Sequence, residues 1–200
     1  MWPDAGDAQA PLSHDGPVFL IGTADGAGDR LADLLGRHPH LCRIPRNRLL
    51  VDLVTVIDRN LPAVAAYGLP ELYWRRATGA FFDDLQRAYV TRNQKSRWVA
   101  YAASSSITLR ELWDLFPAAQ FVHVITPPRG GAGRIVAANR RTGAGLPAGS
   151  YLEVAEGEML SDAEACVRRV LDFLAEGDET LELEVIVDVA DQRVPHPEPH

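Results

Sequence analysis

The chain has 200 residues and a net charge of −7, with a sequence pI near 5.3, which argues against nucleic acid and acidic membrane surfaces as partners. Its hydrophobic fraction of 46% is that of an ordinary globular protein, and it lacks the run of about 18 apolar residues that would predict a membrane span. The first residues lack a basic region and an apolar core, so no secretory signal is expected, and two cysteines are too few for a disulfide framework, which favours a cytoplasmic setting.

The apolar pattern predicts strands that alternate with helices. Residues 1–16 are expected to be a mobile lead-in, residues 17–190 a single domain, and residues 191–200, with three prolines, a disordered tail. Strands are predicted at 18–21, 97–102, 120–125, 151–155 and 180–189. Helices are predicted up to residue 37 and at 49–60, 70–91, 107–115, 132–141 and 163–174. This alternation implies a mostly parallel sheet with helices on both faces, an α/β fold.

A glycine-rich loop joins the first strand to the first helix. A strand, glycine loop and helix commonly hold a phosphate, because free N–H groups at the start of the helix point at the anion. Here the loop carries Asp25 and Asp29 and no basic residue before Arg30. Two carboxylates about 5 Å from a phosphate repel it by several kcal/mol at an effective dielectric of ~20, more than the ~0.3–1 kcal/mol that the helix dipole returns. Alternatively, both acids serve only as good residues for a helix N-terminus, where Asp25 can cap.

Several cations and histidines lie near predicted loops. Arg43, Arg46 and Arg48 could bind an anion, but a solvated face or pairing with the acids of this chain is favoured. The histidines on either side of Pro39 fit a turn better than catalysis. A third histidine, His123, lies inside a predicted strand and is expected to be a satisfied core residue. No metal-ligand spacing is present, so no metal site is predicted.

Helix ends and faces give further expectations. The serines at 104–106 are N-cap candidates, and Ser161-x-x-Glu164 has the pattern of a capping box. The helix after that box would bury Ala163, Cys166, Val167, Val170, Leu171 and Leu174, which makes Cys166 an inert core thiol. The helix at 70–91 is the most aromatic part of the chain, which suits either the core or a partner surface.

Three blocks of the chain carry a family resemblance: PVFLIGTADGAGDRLADLLGRHPHL, KSRWVAYAASSSITLRELWDLFPAAQFVHVITPPR and YLEVAEGEMLSDAEACVRRVLDFL. The first is similar to a strand, a P-[RK]-S-G-T-T loop, a leucine-rich helix and an H-P turn. The second is similar to a K-[ST]-P segment, a helix ending in L-F-P and the motif F-I-H-V-V-R-D-P-R, and the third to a Y-E-D-L segment and its helix. In this order they resemble the PAPS-dependent sulfotransferases, which implies a P-loop-like α/β fold.

The loop residues that do the chemistry in that family do not carry over. The basic residue of the family loop aligns with Asp25, its glycine with Ala27, and its two threonines with Gly28 and Asp29. The resemblance therefore implies a vestigial loop without confident cofactor-binding residues, made of Gly22, Asp25, Gly26, Gly28 and Asp29.

The family's other functional positions are also mostly lost. The arginine that holds the 3′-phosphate of the cofactor aligns with Thr126, and the serine that assists it with Arg134. The family's general base often follows the H-P turn, yet residues 41–51 hold no carboxylate or histidine, and no R-K-G loop follows Leu174. Lys95 and Arg129 do match the family motifs. No catalytic residue is predicted.

The resemblance favours a catalytically silent sulfotransferase-like subunit that pairs with and supports an active PAPS-dependent sulfotransferase. PAPS would then belong to the partner, and the resemblance extends to natural-product pathways in which sulfonation leads to an aziridine ring. The alternative is an active enzyme with an atypical cofactor site, whose cations would be Lys95, Arg97, Arg129, Arg134 and the arginines at 43–48. A different enzyme on the same scaffold would have to draw its acids and bases from Asp25, Asp29, His38, His40 and His123.

Overall fold

The computed structural model of the chain describes residues 16–22, 27–46, 48–103, 106–126 and 132–176. Within these ranges the strands are β1 (Val18–Gly22), β2 (Leu41–Arg43), β3 (Arg97–Ala103), β4 (Gln120–Ile125) and β5 (Tyr151–Ala155). The helices are α1 (Ala27–Leu35), α2 (Leu49–Ala65), α3 (Glu71–Arg92), α4 (Leu109–Leu115), α5 (Ala132–Ala144), α6 (Glu156–Ser161) and α7 (Ala163–Leu174). The predicted lead-in up to residue 15, the strand at 180–189 and the tail lie outside the described residues.

The five strands form one parallel sheet in the order β2-β3-β1-β4-β5. β1 lies at its centre, where Phe19 is in register with Ala100 of β3 and with Phe121 of β4. All five residues of β1 are buried, as expected for a strand that is covered on both faces. The predicted α/β fold with a parallel sheet is confirmed, and the carboxyl ends of all five strands lie along one edge.

Alternate residues of β1 face two separate hydrophobic cores. Val18 and Leu20 belong to the core shared with α1 and α7, whereas Phe19 and Ile21 belong to the core shared with α2, α3 and α4. The inward face of α7 is buried as predicted, except that Ala163 is only half-buried. Helices therefore cover both faces of the sheet, as the alternation of strands and helices predicted.

Two helix starts differ from the sequence prediction. The N-cap of α4 is Thr108, whose hydroxyl accepts the Glu111 N–H while the Glu111 carboxylate accepts the Thr108 N–H, so the assignment of the cap to the serines at 104–106 is wrong. The N-cap of α7 is Asp162, which accepts the Ala165 N–H at 2.9 Å. The adjacent Ser161 cannot serve because it is the last residue of α6, a helix that the sequence did not predict.

Two elements near the glycine loop also extend beyond the prediction. β2 was not predicted, since three residues between a turn and Pro45 show no periodicity, yet it pairs with β3 from Leu41 opposite Arg97. α2 continues through Pro62 to Ala65, although a proline inside a helix removes one hydrogen bond and crowds the preceding turn. In the described part of the chain, no helix has both the length and the apolar character needed to cross a membrane.

Candidate functional site

The glycine-rich loop lies at the carboxyl edge of the sheet, where parallel α/β proteins commonly bind ligands. Gly22 ends β1, and Ala27, Gly28 and Asp29 form the first turn of α1. These four residues are the described part of the loop and are called the cradle below. Asp25 and Gly26 lie outside the described residues.

An aromatic ring from β3 packs against the cradle. A Cβ atom added to Gly28 would lie 2.5 Å from Cε2 of Tyr101, and one added to Gly22 would lie 3.7 Å from the Tyr101 hydroxyl. The guanidinium of Arg46 lies 5.3 Å from the centroid of the same ring, in a cation–π contact. Gly28 is therefore required for close packing of α1 against Tyr101, a role that the sequence alone did not reveal.

The acid of the cradle is paired with arginine. Arg43 donates to Asp29 over 2.7 Å and also pairs with Asp33, and Arg46 lies 3.6 Å from Asp29. The expectation that the arginines pair with acids of this chain is confirmed, and Arg48 follows it with a looser contact of 3.8 Å to Asp52. Asp29 is therefore neutralised and does not present the bare negative charge that the sequence predicted. This follows from β2, which places Arg43 beside α1.

A cavity of about 570 Å³ opens beside the cradle. Its walls are mostly apolar and come from β1, the second half of β3, the start of α2, the middle of α3 and the residues before α4, with Phe19, Leu50, Phe82, Ala102 and Ile107 among the lining residues. Its rim carries Asp29 and the arginines at 43, 46 and 48. This arrangement suits a small apolar molecule that ends in a polar or anionic group.

Two of the candidate cations lie at the opposite edge of the sheet. Lys95 precedes β3 and donates to the carbonyls of Gly36 and Leu41. Arg97, at the amino end of β3, is 3% exposed and donates to the carbonyl of Gly16 at 2.5 Å and to Gln120 Oε1 at 2.6 Å. The structure therefore does not bring either of them to the cradle.

The remaining candidates stand around the end of β4. Thr126, which aligns with the family's 3′-phosphate arginine, is buried. Arg134 lies exposed in the first turn of α5, and no ion pair is made by it within the described residues. Arg129 lies outside the described residues.

The two histidines around Pro39 form a turn, as predicted. The His38 N–H donates to the Leu35 carbonyl, and the His38 carbonyl accepts from Leu41. With Glu176, their side chains place three metal-ligand atoms within 4.8 Å of one another. However, Nδ1 of His38 accepts the His40 N–H at 3.2 Å, so a neutral ring holds its proton on Nε2. Glu176 also pairs with Arg97 at 3.4 Å. The three side chains are therefore better placed to stabilise the turn than to bind a metal ion.

The buried His123 belongs to a polar network that runs out to the surface and that the sequence did not predict. Its Nδ1 lies 2.8 Å from the Tyr151 hydroxyl, which donates to Glu153 at 2.9 Å. Since the hydroxyl gives its only proton to the carboxylate, Nδ1 of His123 donates, and Nε2 carries none. Arg140 donates to both oxygens of Glu153, at 3.0 Å to the one that accepts from Tyr151 and at 2.7 Å to the other. The i, i+2 spacing of Tyr151 and Glu153 on β5 was the signal that could have indicated this network.

The environment of this network fixes its charge states. Burial lowers the pKa of His123 and keeps the ring neutral. The hydrogen bond from Arg140 lowers the pKa of Glu153, and burial raises the pKa of Tyr151. The predicted burial of His123 is confirmed, but its Nε2 has no partner among the described residues.

Comparison with known proteins bears on the fold. No protein-family model and no curated protein matches the chain. A sulfotransferase domain from the curacin biosynthetic pathway matches 82% of this chain and 75% of its own, with 13% identity and a TM-score of 0.52. The sulfotransferase domain of the Synechococcus PCC 7002 olefin synthase matches 91% and 89%, with 14% identity and a TM-score of 0.52. With its parallel five-stranded sheet covered by helices, this chain has the P-loop-like α/β fold of sulfotransferase domains.

Proposed function

We propose that this chain is a non-catalytic sulfotransferase-like subunit that pairs with and supports an active PAPS-dependent sulfotransferase. The observation that carries the proposal is the pairing of Arg43 and Arg46 with Asp29. Both arginines line the cavity beside the cradle, together with Asp29. A phosphate or sulfonate would have to compete with a carboxylate of this chain for both of them, so the donor should bind weakly.

Two neighbouring features support the same proposal. Tyr101 packs on the cradle from one side, and the buried Thr126 offers no charge where the family uses an arginine. Sulfonyl transfer depends on positioning and on stabilising charge in the transition state, as phosphoryl transfer does. A site that lacks free cations would therefore lose both cofactor affinity and rate.

In the proposed complex the partner binds PAPS and transfers the sulfonyl group. Two solved sulfotransferase domains of this fold come, by their names, from the curacin pathway and from an olefin synthase, which supports a setting in natural-product biosynthesis. One such use is aziridine formation: the partner sulfonates a hydroxyl, and an amine of the same substrate then forms the C–N bond as the C–O bond breaks and sulfate leaves. We place the complex in the cytoplasm, because Cys42 and Cys166 are both buried and free.

Calorimetry with adenosine 3′,5′-bisphosphate tests the loss of cofactor binding. The proposal expects no binding heat with the isolated chain at millimolar ligand. Micromolar binding would contradict it and support the alternative of an active enzyme. That alternative is favoured by one observation, the apolar cavity beside the cradle with Arg46 on its rim, where the side chain is 58% exposed.

Co-expression tests the partner. The tagged chain should co-purify with an intact P-[RK]-S-G-T-T sulfotransferase encoded beside it and should raise the yield or the activity of that enzyme. A chain that folds well alone and leaves the neighbouring enzyme unchanged would contradict the proposal. The matched control is the same enzyme expressed with an unrelated chain of equal size.

A further inference from the structure

A groove of about 270 Å³ lies beside α3, on the side where this helix crosses the end of α4. Its α3 wall carries Arg76, Gly79, Ala80 and Arg87, whose spacing places them along one face of the helix. The two walls meet at Gly79, since a Cβ added there would lie 2.1 Å from the carbonyl oxygen of Leu115. The groove therefore has an apolar floor, with an arginine at each end of its α3 wall.

The chain enters the described structure in this groove, at Gly16, which is one of its lining residues. Gly16 is buried, its carbonyl accepts from Arg97 at 2.5 Å, and a Cβ added there would lie 1.9 Å from the carbonyl oxygen of Ala118. These contacts fix the point at which residues 1–15 join the domain. A segment that is tethered at the wall of a groove has an effective concentration there on the order of millimolar, so weak contacts are enough to hold it.

The charges of the groove and of the tethered segment are complementary. Residues 1–15 contain three aspartates, the last of them Asp15, and no lysine or arginine. Arg76 is exposed and makes no ion pair within the described residues. The acid of the groove, Asp83, is paired with Arg87 at 2.6 Å. The described walls therefore carry one uncompensated positive charge, and the chain brings an aspartate directly to the groove beside Gly16.

The length of the segment also matches the groove. Leu12 lies four residues before Gly16, a distance that an extended chain spans in about 13 Å. The eleven residues of helix from Arg76 to Arg87 span about 16 Å. Leu12 can therefore reach the apolar floor while Asp15 stays beside the arginines. The proline before Leu12 favours an extended backbone for the residue that precedes it.

We propose that residues 11–15 dock in this groove, with the Leu12 side chain against Ala80 and the Asp15 carboxylate paired with Arg76. One buried leucine and one partly exposed ion pair are a modest gain, which the tether makes sufficient. Docking departs from the expected mobile lead-in only for the residues next to Gly16. The groove lies at the amino edge of the sheet, opposite to the cradle, so this inference does not depend on the proposed function.

Nitrogen-15 relaxation of the full chain tests the docking. Backbone order parameters at residues 12–15 should be near the value of about 0.85 that a rigid backbone shows. Arg76→Asp should lower them below about 0.6, and Asp15→Arg in the same chain should restore them. Arg59→Asp is the matched control, since Arg59 is an exposed arginine of α2 outside the groove. Thermal unfolding shows that the variants fold. Wild-type values below about 0.6, or equal values in Arg76→Asp and wild type, overturn the proposal.

Pairs of introduced cysteines test where the segment lies. Leu12→Cys combined with Ala80→Cys should form a disulfide within one chain on mild oxidation. Leu12→Cys combined with Ala63→Cys, at an exposed position of α2, should not. The background is low because the two native cysteines are buried. A disulfide between copies would show that the groove holds the segment of a second copy, and an ordered segment without the crosslink to position 80 would place it elsewhere. Either result overturns the proposal.

Discussion

The guanidinium of Arg43 donates a 2.7 Å hydrogen bond to the carboxylate of Asp29, and this contact ties the end of β2 to the first turn of α1. The side chains are 24% and 27% exposed, so water screens the pair only in part. Arg46 approaches the other oxygen of the same carboxylate. One acid therefore occupies two cations at the place where a phosphate-binding loop would need them free.

Replacing this acid should create an anion site. In Asp29→Asn, Arg46 loses its carboxylate partner and Arg43 keeps only Asp33, so we expect affinity for adenosine 3′,5′-bisphosphate to rise by about tenfold or more. Calorimetry measures the change. Asp52→Asn is the control, because it removes an equal charge from the exposed pair with Arg48 and should leave affinity unchanged. Equal affinities for Asp29→Asn and wild type would show that Asp29 does not limit anion binding.

A side chain at position 28 should clash with Tyr101, and a second substitution at Tyr101 should relieve that clash. A Cβ there meets the ring of Tyr101 at 2.5 Å, so we expect Gly28→Ala to cost about 1–3 kcal/mol of unfolding free energy. Tyr101→Leu should recover part of that loss in the double variant, measured by denaturant unfolding. Gly157→Ala, on a helix with open space around it, should be neutral or slightly stabilising.

Gly79 differs from Gly28 because it packs against backbone and not against a side chain. A Cβ there would meet the backbone carbonyl of Leu115 at 2.1 Å, and no side-chain substitution can move that atom away. We expect Gly79→Ala to destabilise the chain more than Gly28→Ala does, by about 3 kcal/mol or more. Chemical denaturation of the two variants side by side checks the order. A smaller loss for Gly79→Ala would mean that α3 can shift away from α4.

The sheet was predictable because its strands are short apolar runs between turn signals. Residues 120–125 and 151–155 were predicted to the residue, and the first of these strands is buried along almost its whole length, as a run of mostly apolar residues predicts. β2 was not, because its place at the edge depends on pairing with β3 and not on its own three residues. Because β2 was not predicted, the contact of Arg43 with Asp29 was not predicted either. The charge expected at the cradle was therefore too negative.

The candidate site was only partly visible in the sequence for the same reason. Spacing could identify the loop residues, but it could not show that Lys95 points to carbonyls at the other edge of the sheet. The role of Tyr101 depends on the register of β3 with β1, which no local pattern encodes. Contacts between residues far apart in the chain decide the electrostatics here, and a single sequence does not supply them.

Removing the hydroxyl of Tyr151 should lower the free energy of unfolding, because His123 loses its hydrogen-bond partner. Tyr151→Phe leaves a buried N–H of His123 without its partner, whereas the Glu153 oxygen keeps its hydrogen bond from Arg140. We expect a loss of about 1–3 kcal/mol in unfolding free energy, measured by urea denaturation at neutral pH. Tyr89→Phe is the control, on an exposed part of α3, and should change stability by less than about 0.5 kcal/mol.

The same network predicts a loss of stability in mild acid. Burial holds the pKa of His123 below the value of 6.5 that it has when unfolded, so below that pH the unfolded chain binds more protons than the folded one. Stability is then fully present above pH 6.5 and falls as the pH drops below it, by up to ~1.4 kcal/mol per pH unit. His123→Gln should flatten this slope just below pH 6.5. An unchanged slope in His123→Gln would assign the effect to another group.

Replacing Arg97 with lysine should lower the stability of the chain more than the same replacement at an exposed arginine. Its guanidinium is buried and donates at once to the carbonyl of Gly16 and to Gln120, which join the starts of β1, β3 and β4. A lysine ammonium is a point charge that cannot match this planar fork, so the substitution leaves buried acceptors unpaired. We expect Arg97→Lys to cost about 2–4 kcal/mol, read from the denaturant midpoint at constant m-value. In contrast, Arg110→Lys changes a 70% exposed helix pair with Asp114 and should cost less than about 0.5 kcal/mol. Equal denaturant midpoints for the two variants would show that the buried contacts of Arg97 do not contribute to stability.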